Sequence, residues 1–203
     1  MNDLSSLCKK AQALGFYGSY TRKEDYVEDL SDINVFALSD DKSILLDLAS
    51  LGYSPVVISS KYFEEICMKG DPLCHYIYYD SDLICGEFPA VKPSINEYTC
   101  KRFANMSISS IQLSREAFLR QDEKGSLTWT FRSIRSLIQY ISCLGGSIPF
   151  SNSQIKEKCL SLGKEVCETL YIIQEKRERL EAISASLILK VEKLVKSVIK
   201  ETV

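Results

Sequence analysis

Gly18 and Ser19, followed after twelve residues by Asp32-Ile33-Asn34, are the residues whose types and spacing suit chemistry in this chain. A glycine at the end of a strand lets backbone approach an anion closely, and the next serine adds a hydroxyl and an amide. Residues 32 and 34 project from one face of a strand. Two carboxylates so placed hold Mg²⁺ beside phosphates, where the metal neutralises charge and activates an attacking hydroxyl. Here the second position is Asn34, a neutral and weaker ligand, so the expected Mg²⁺ contacts are Asp32 and, weakly, Asn34. Arg22 and Lys23 follow the Gly-Ser pair and offer positive charge to phosphate or, equally, to solvent. Asp25, Glu28, Asp29 and Glu87 are conceivable substitute ligands but read as solvated surface acids. His75, the sole histidine, reads as packed or exposed rather than catalytic.

These residues need strands and helices to hold them. Leu4, Leu7, Cys8, Ala11 and Leu14 recur at helical spacing, which predicts a first helix capped by Gly15. Phe16-Tyr17 is a short strand running into Gly18. Ile33–Leu38 is rich in strand formers, Ser43–Leu51 is helical, and Ser54–Ile58 is a buried strand with Pro55 at its start or on an edge. Lys61–Met68 reads as helix. Tyr76–Tyr79 and Leu83–Cys85 read as two short strands or as a strand after a helix. Phe88–Pro93, with two of the five prolines, marks a linker. Beyond it only helix signals occur: 94–121, 127–144, and 152–200 in one or two pieces. Ser94-x-x-Glu97 and Ser151-x-x-Gln154 are capping-box patterns.

The whole is an α+β chain: a small mixed-sheet domain over 1–93, then an all-α bundle over 94–203. An apolar stripe runs from Val166 to Val198. As one helix over 164–200 it would be about 55 Å long, so it either breaks near Gln174–Arg179 or packs its end on another subunit. The second option implies a homo-oligomer.

With 203 residues, 26% charged, and a net charge of −2, the composition is that of a globular protein and argues against a duplex-DNA binder held by phosphate contacts. No apolar run reaches the roughly 18 residues that cross a bilayer. Met1-Asn2-Asp3-Leu4 lacks the basic start of a signal peptide, so no membrane and a cytoplasmic location are expected. The eight cysteines form no Cys-x-x-Cys pair and read mostly as small core residues, with intracellular disulfides left open for a hyperthermophilic source.

Gly18-Ser19 … Ser31-Asp32-Ile33-Asn34, set between a helix, a strand and a second strand, resembles the Gly-Ser…Asp-x-Asp signature of the nucleotidyltransferase superfamily, including its minimal and kanamycin-nucleotidyltransferase-like members. The resemblance spans roughly residues 4–87. It implies that Gly18, Ser19 and Asn34 bind nucleotide and that Asp32 is catalytic. Mg²⁺ would be the cofactor and an NTP, ATP foremost, the substrate. A nucleoside monophosphate would pass to a hydroxyl on a small-molecule or protein acceptor. The chain departs from the pattern at Asn34, and the strand expected to carry a third carboxylate, Ser54–Ile58, has no acid.

The helical half resembles the HEPN-type bundles that accompany such domains, by its order and by Phe131-Arg132-Ser133-Ile134-Arg135. No histidine lies in 94–203, which argues against ribonuclease activity of that class. Arg132 and Arg135 either line an anionic substrate site or sit on a salt-bridged bundle surface. The competing expectation for the whole chain is a catalytically degenerate nucleotide-binding or interaction module, such as one member of a toxin–antitoxin-like pair.

Overall fold

The computed structural model describes residues 4–201; Met1–Asp3, on which part of the leader reading rests, lie outside the described residues. The chain divides into two compact units, Met1–Ser94 and Ile95–Val203. The first is a four-stranded mixed sheet with helices and the second is all helix, so the class is α+β.

The first unit runs α1 (Leu4–Leu7), β1 (Ala13–Tyr17), a 3₁₀ turn (Gly18–Thr21), β2 (Asn34–Leu38), α2 (Ser43–Ser50), β3 (Ser54–Ile58), α3 (Ser60–Lys69), α4 (Pro72–Tyr79) and β4 (Ser81–Gly86). The strand order is β3-β2-β1-β4, with β2 and β3 parallel and β1 antiparallel to both of its neighbours. Alternation along β2 sorts the core. Val35 and Ala37 face Leu7, Leu14, Ile44 and Leu48, while Phe36 and Leu38 face Phe63, Ile66 and Ile77. The sheet is thus covered on one side by α1 and α2 and on the other by α3 and α4. Pro55 lies on β3, an edge strand, where its missing N–H costs no interior ladder bond.

Two expectations fail near the N-terminus. The helix over residues 4–14 stops at Leu7, and Ala13 and Leu14 belong to β1. Gly15 is no helix cap: it lies inside β1, where a Cβ would fall 2.5 Å from the Asp82 carbonyl oxygen and 2.8 Å from the Phe36 ring. The apolar residues that mimic a helix stripe all pack into one core cluster on one face of the sheet, Leu4 and Leu7 from α1 and Leu14 from the bulged β1, whose register shifts between Leu14 and Gly15. The strand-after-helix alternative holds for residues 72–86, because Pro72 opens α4 behind the Asp71 N-cap.

The second unit runs α5 (Glu97–Leu119), α6 (Glu123–Leu144), α7 (Asn152–Leu162), α8 (Lys164–Glu178) and α9 (Ala185–Glu201). The N-cap of α5 is Asn96 paired with Thr99, not Ser94 with Glu97: the Asn96 oxygen accepts the Thr99 N–H. The Ser151/Gln154 box forms as expected. The helical segment 152–200 breaks at Gly163, ahead of the apolar stripe, and the stripe itself breaks over residues 179–184; its buried members Leu187, Val191 and Leu194 are core within this chain. That removes the length argument for an end packed on another subunit. Among the described residues no helix is long and apolar enough to cross a membrane.

Six of the eight cysteines are buried core residues, as their sequence reading has it, but they are not free thiols. All eight pair: Cys8–Cys85, Cys67–Cys74, Cys100–Cys143 and Cys159–Cys167. Cys8 and Cys85 are 77 residues apart with Cα atoms at 6.0 Å. Such an approach is a property of the fold, and sequence spacing does not encode it.

Candidate functional site

The sheet delivers the motif residues to one end. Tyr17 at the end of β1 pairs with Asn34 at the start of β2 and with Ser81 at the start of β4. The residues just beyond that row therefore share one sheet edge: Gly18-Ser19 after β1, Asp32 before β2, and Asp80 before β4. Gly18 takes φ +82°, which favours glycine, and turns the chain from β1 into the 3₁₀ turn. The turn is tied by the Thr21 hydroxyl on the Gly18 carbonyl at 2.8 Å and the Arg22 N–H on the Ser19 carbonyl at 3.1 Å.

Asn34 lies against this turn. Its Nδ2 is 3.6 Å from where a Gly18 Cβ would stand and 3.5 Å from the Asp32 carbonyl oxygen. Asp32 is exposed and Ser19 half-buried, and no described residue hydrogen-bonds the Ser19 hydroxyl. The Gly18 N–H is not open to a ligand, because it donates to the Asp80 carbonyl at 3.0 Å. Gly18, Ser19, Asp32 and Asn34 are thus brought together, with Asp32 exposed and Ser19 half-buried.

The cation beside them is already engaged. Arg22 Nε donates to Asp25 at 2.6 Å, and its Nη1 donates to Asp80. Only 1% of the Asp25 side chain and 6% of the Asp80 side chain are exposed. Asp25 is therefore no solvated surface acid. The acid is tolerated in the interior because the half-buried Arg22 pairs with it, a pairing three residues apart that the loop sequence alone does not announce. Burial works against the Arg22 charge, and the bonds to Asp25 and Asp80 more than offset it, so the guanidinium pKa is raised. Asp80 was missed in the sequence, since it sits at a helix end with no motif around it. Glu28, Asp29 and Glu87 are exposed, as expected.

Magnesium finds a poor donor set here. Asn34 presents an amide where the resemblance implies a carboxylate, and β3 contributes Ser54 opposite it. The buried carboxylates of Asp25 and Asp80 are held by Arg22. Among the described residues no three of His, Cys, Asp or Glu gather to hold a metal ion. The residues present do not form the three-carboxylate site that the resemblance implies.

The remaining candidates have local partners. His75 is buried on α4, its Nε2 without a hydrogen bond, and burial lowers its pKa against the opposing pull of a Ser94 backbone bond and Asp71. In the helical unit Arg135 bonds the Asn152 side chain at 2.9 Å and the Phe150 carbonyl, joining α6 to the start of α7. The Arg132 guanidinium lies over the Trp129 ring at 4.8 Å.

Comparison with solved structures finds a likeness to the crystal structure of a nucleotidyltransferase-like protein from Exiguobacterium sibiricum 255-15. The identity is 14%, the TM-score 0.40, and the match covers 95% of this chain and 72% of the other. No protein-family model matches the chain, and no curated protein matches it by sequence.

Proposed function

We propose that this chain is a catalytically degenerate nucleotidyltransferase-like protein: a nucleotide-binding or interaction module that keeps the Gly18-Ser19 turn and lacks efficient transfer. One observation carries it. The two buried carboxylates nearest the turn are bound by Arg22 while Asn34 stands at the second ligand position, so the metal that transfer needs has one exposed carboxylate, Asp32. Between residues 22 and 32 five acids face two bases, which further disfavours a metal-free triphosphate. In the active alternative, Asp32 acts with weak help from Asn34, and the HEPN-like helical unit supplies the acceptor site. The gathering of Gly18, Ser19 and Asp32 on one sheet edge favours that alternative. For location, four disulfides suit an oxidising compartment or the interior of a hyperthermophile; a cytoplasmic protein would need the second.

The test is the melting temperature of wild type, Asp32→Ala and Asn34→Asp with millimolar ATP, with and without Mg²⁺, beside an assay for pyrophosphate release. We expect a wild-type shift of about a degree or less. Asn34→Asp should raise it to several degrees in Mg²⁺ only, because ligand at 100 times its dissociation constant stabilises by about 2.7 kcal/mol. Pyrophosphate release by the wild type at enzymatic rates would replace the degenerate reading with the active one. No response in any variant would leave only the interaction module.

A further inference from the structure

Asp80 makes two different bonds to the Gly-Ser turn, and neither belongs to a recognisable motif. Its backbone carbonyl accepts the Gly18 N–H at 3.0 Å. Its carboxylate accepts from Arg22, whose own N–H is bonded to the Ser19 carbonyl and whose carbonyl accepts the Asp25 N–H at 2.9 Å. Ser19 is therefore enclosed in a circuit that begins and ends at Asp80. The same residue closes α4, donating its N–H to the Tyr76 carbonyl at 2.9 Å, and leads directly into β4.

Nothing about the helix asks for an acid there. A carboxylate at a helix C-terminus meets the negative end of the helix dipole and is disfavoured by a few tenths of a kcal/mol to about 1 kcal/mol. Burying it costs more unless a cation is buried with it. A buried acid that breaks the local rule and draws a half-buried arginine to itself marks a place where a turn is held in one shape.

We infer that Asp80 is a positioning residue for the Gly18–Ser19 turn. It fixes Gly18 through its carbonyl and Ser19 through Arg22, so that the Ser19 hydroxyl stays presented at the sheet edge. As far as it concerns nucleotide, this rests on the function proposed above. As far as it concerns the turn, it stands alone.

The experiment uses the full chain with Asp80→Asn, which keeps the carbonyl and the side-chain shape but removes the ion pair, together with Arg22→Met and the double variant. Ser114→Ala, in the helical unit, controls for general destabilisation. Two readouts are taken: the amide resonances of Gly18 and Ser19 without ligand, and the ATP dissociation constant. The expected result is that both single variants move those two resonances and weaken ATP roughly tenfold, the loss of one charged hydrogen bond. The double variant should add little, and Ser114→Ala should do neither. Unmoved Gly18 and Ser19 resonances in Asp80→Asn would overturn the inference. So would tighter ATP binding in that variant, because it would make Asp80 a brake on Arg22. If wild type binds no ATP, the nucleotide reading falls, and the resonances alone decide the role of Asp80.

Discussion

The two units solve the same problem with different interiors. Each is cross-linked by one long-range disulfide and one short one: 77 and 7 residues apart in the first unit, 43 and 8 in the second. The sheet unit fills both faces with apolar side chains, including the stacked rings of Phe36, Phe63 and Phe88. The long hairpin of the helical unit is instead seamed by small hydroxyl residues. Ser107 and Ser133 donate to each other's carbonyl oxygens at 2.9 Å, and Ser114 bonds the Ser126 carbonyl and the Thr130 hydroxyl. Small side chains let two helix backbones come close, and the hydroxyls of Ser107, Ser114 and Ser133 find their partners on the neighbouring helix. The sheet unit draws its cohesion from apolar area. The hairpin draws more of its own from close fit and covalent closure.

Breaking the closures should expose this difference most strongly. In the chain-entropy account, removing Cys8–Cys85 by paired serine substitution lowers stability by about 4.5 kcal/mol, and removing Cys100–Cys143 by about 4 kcal/mol. The short bridges are each worth about 2.4 kcal/mol on the same scale. Urea melts of the four double variants should rank in that order. A flat ranking would mean that the unfolded chain keeps structure around these cysteines. Mass spectrometry before and after reduction checks the pairing itself.

Ser107→Val tests the seam at the next level of effect. It forces two methyl groups between α5 and α6 and removes a hydrogen bond, for a loss of about 2 kcal/mol. An equally conservative swap in the sheet unit, Val57→Ile on the half-buried edge strand, should cost less than 1 kcal/mol. Equal effects would erase the contrast between a tight seam and an adaptable apolar face.

The smallest effect belongs to His75. Burial holds its folded pKa below the usual 6.5, so the unfolded chain takes up a proton first as the pH drops. Stability from this group is complete above pH 6.5 and declines as pH falls from there toward the folded value. Urea midpoints between pH 7.5 and 5 should show the decline in wild type, and His75→Phe should flatten it. An unchanged slope in the variant would assign the decline to carboxylates.

Most of the architecture was legible because it is local. Strand formers at 34–38 and 54–58, helix periodicity at 43–50 and throughout the second unit, and the Ser151/Gln154 box all act through neighbours in the chain. The motif residues Gly18, Ser19, Asp32 and Asn34 could be singled out for the same reason. Bringing them to one end of the sheet took the antiparallel pairing of β1 with β2, which sets Tyr17 opposite Asn34. The first ten-odd residues misled because Leu4, Leu7, Ala11 and Leu14 satisfy a helix period and share one core cluster, although α1 ends at Leu7 and Leu14 reaches that cluster from β1.

Sequence by itself thus determined the α+β class and the places of most strands and helices, since each follows from propensity and periodicity over a few residues. Only the tertiary structure decided which cysteines join, that Asp25 is buried, and that Arg22 is held between Asp25 and Asp80 and so not offered to a ligand. Those facts depend on residues up to 77 positions apart meeting within a few ångströms. Burial and charge pairing of that kind are set by the packing of the whole unit.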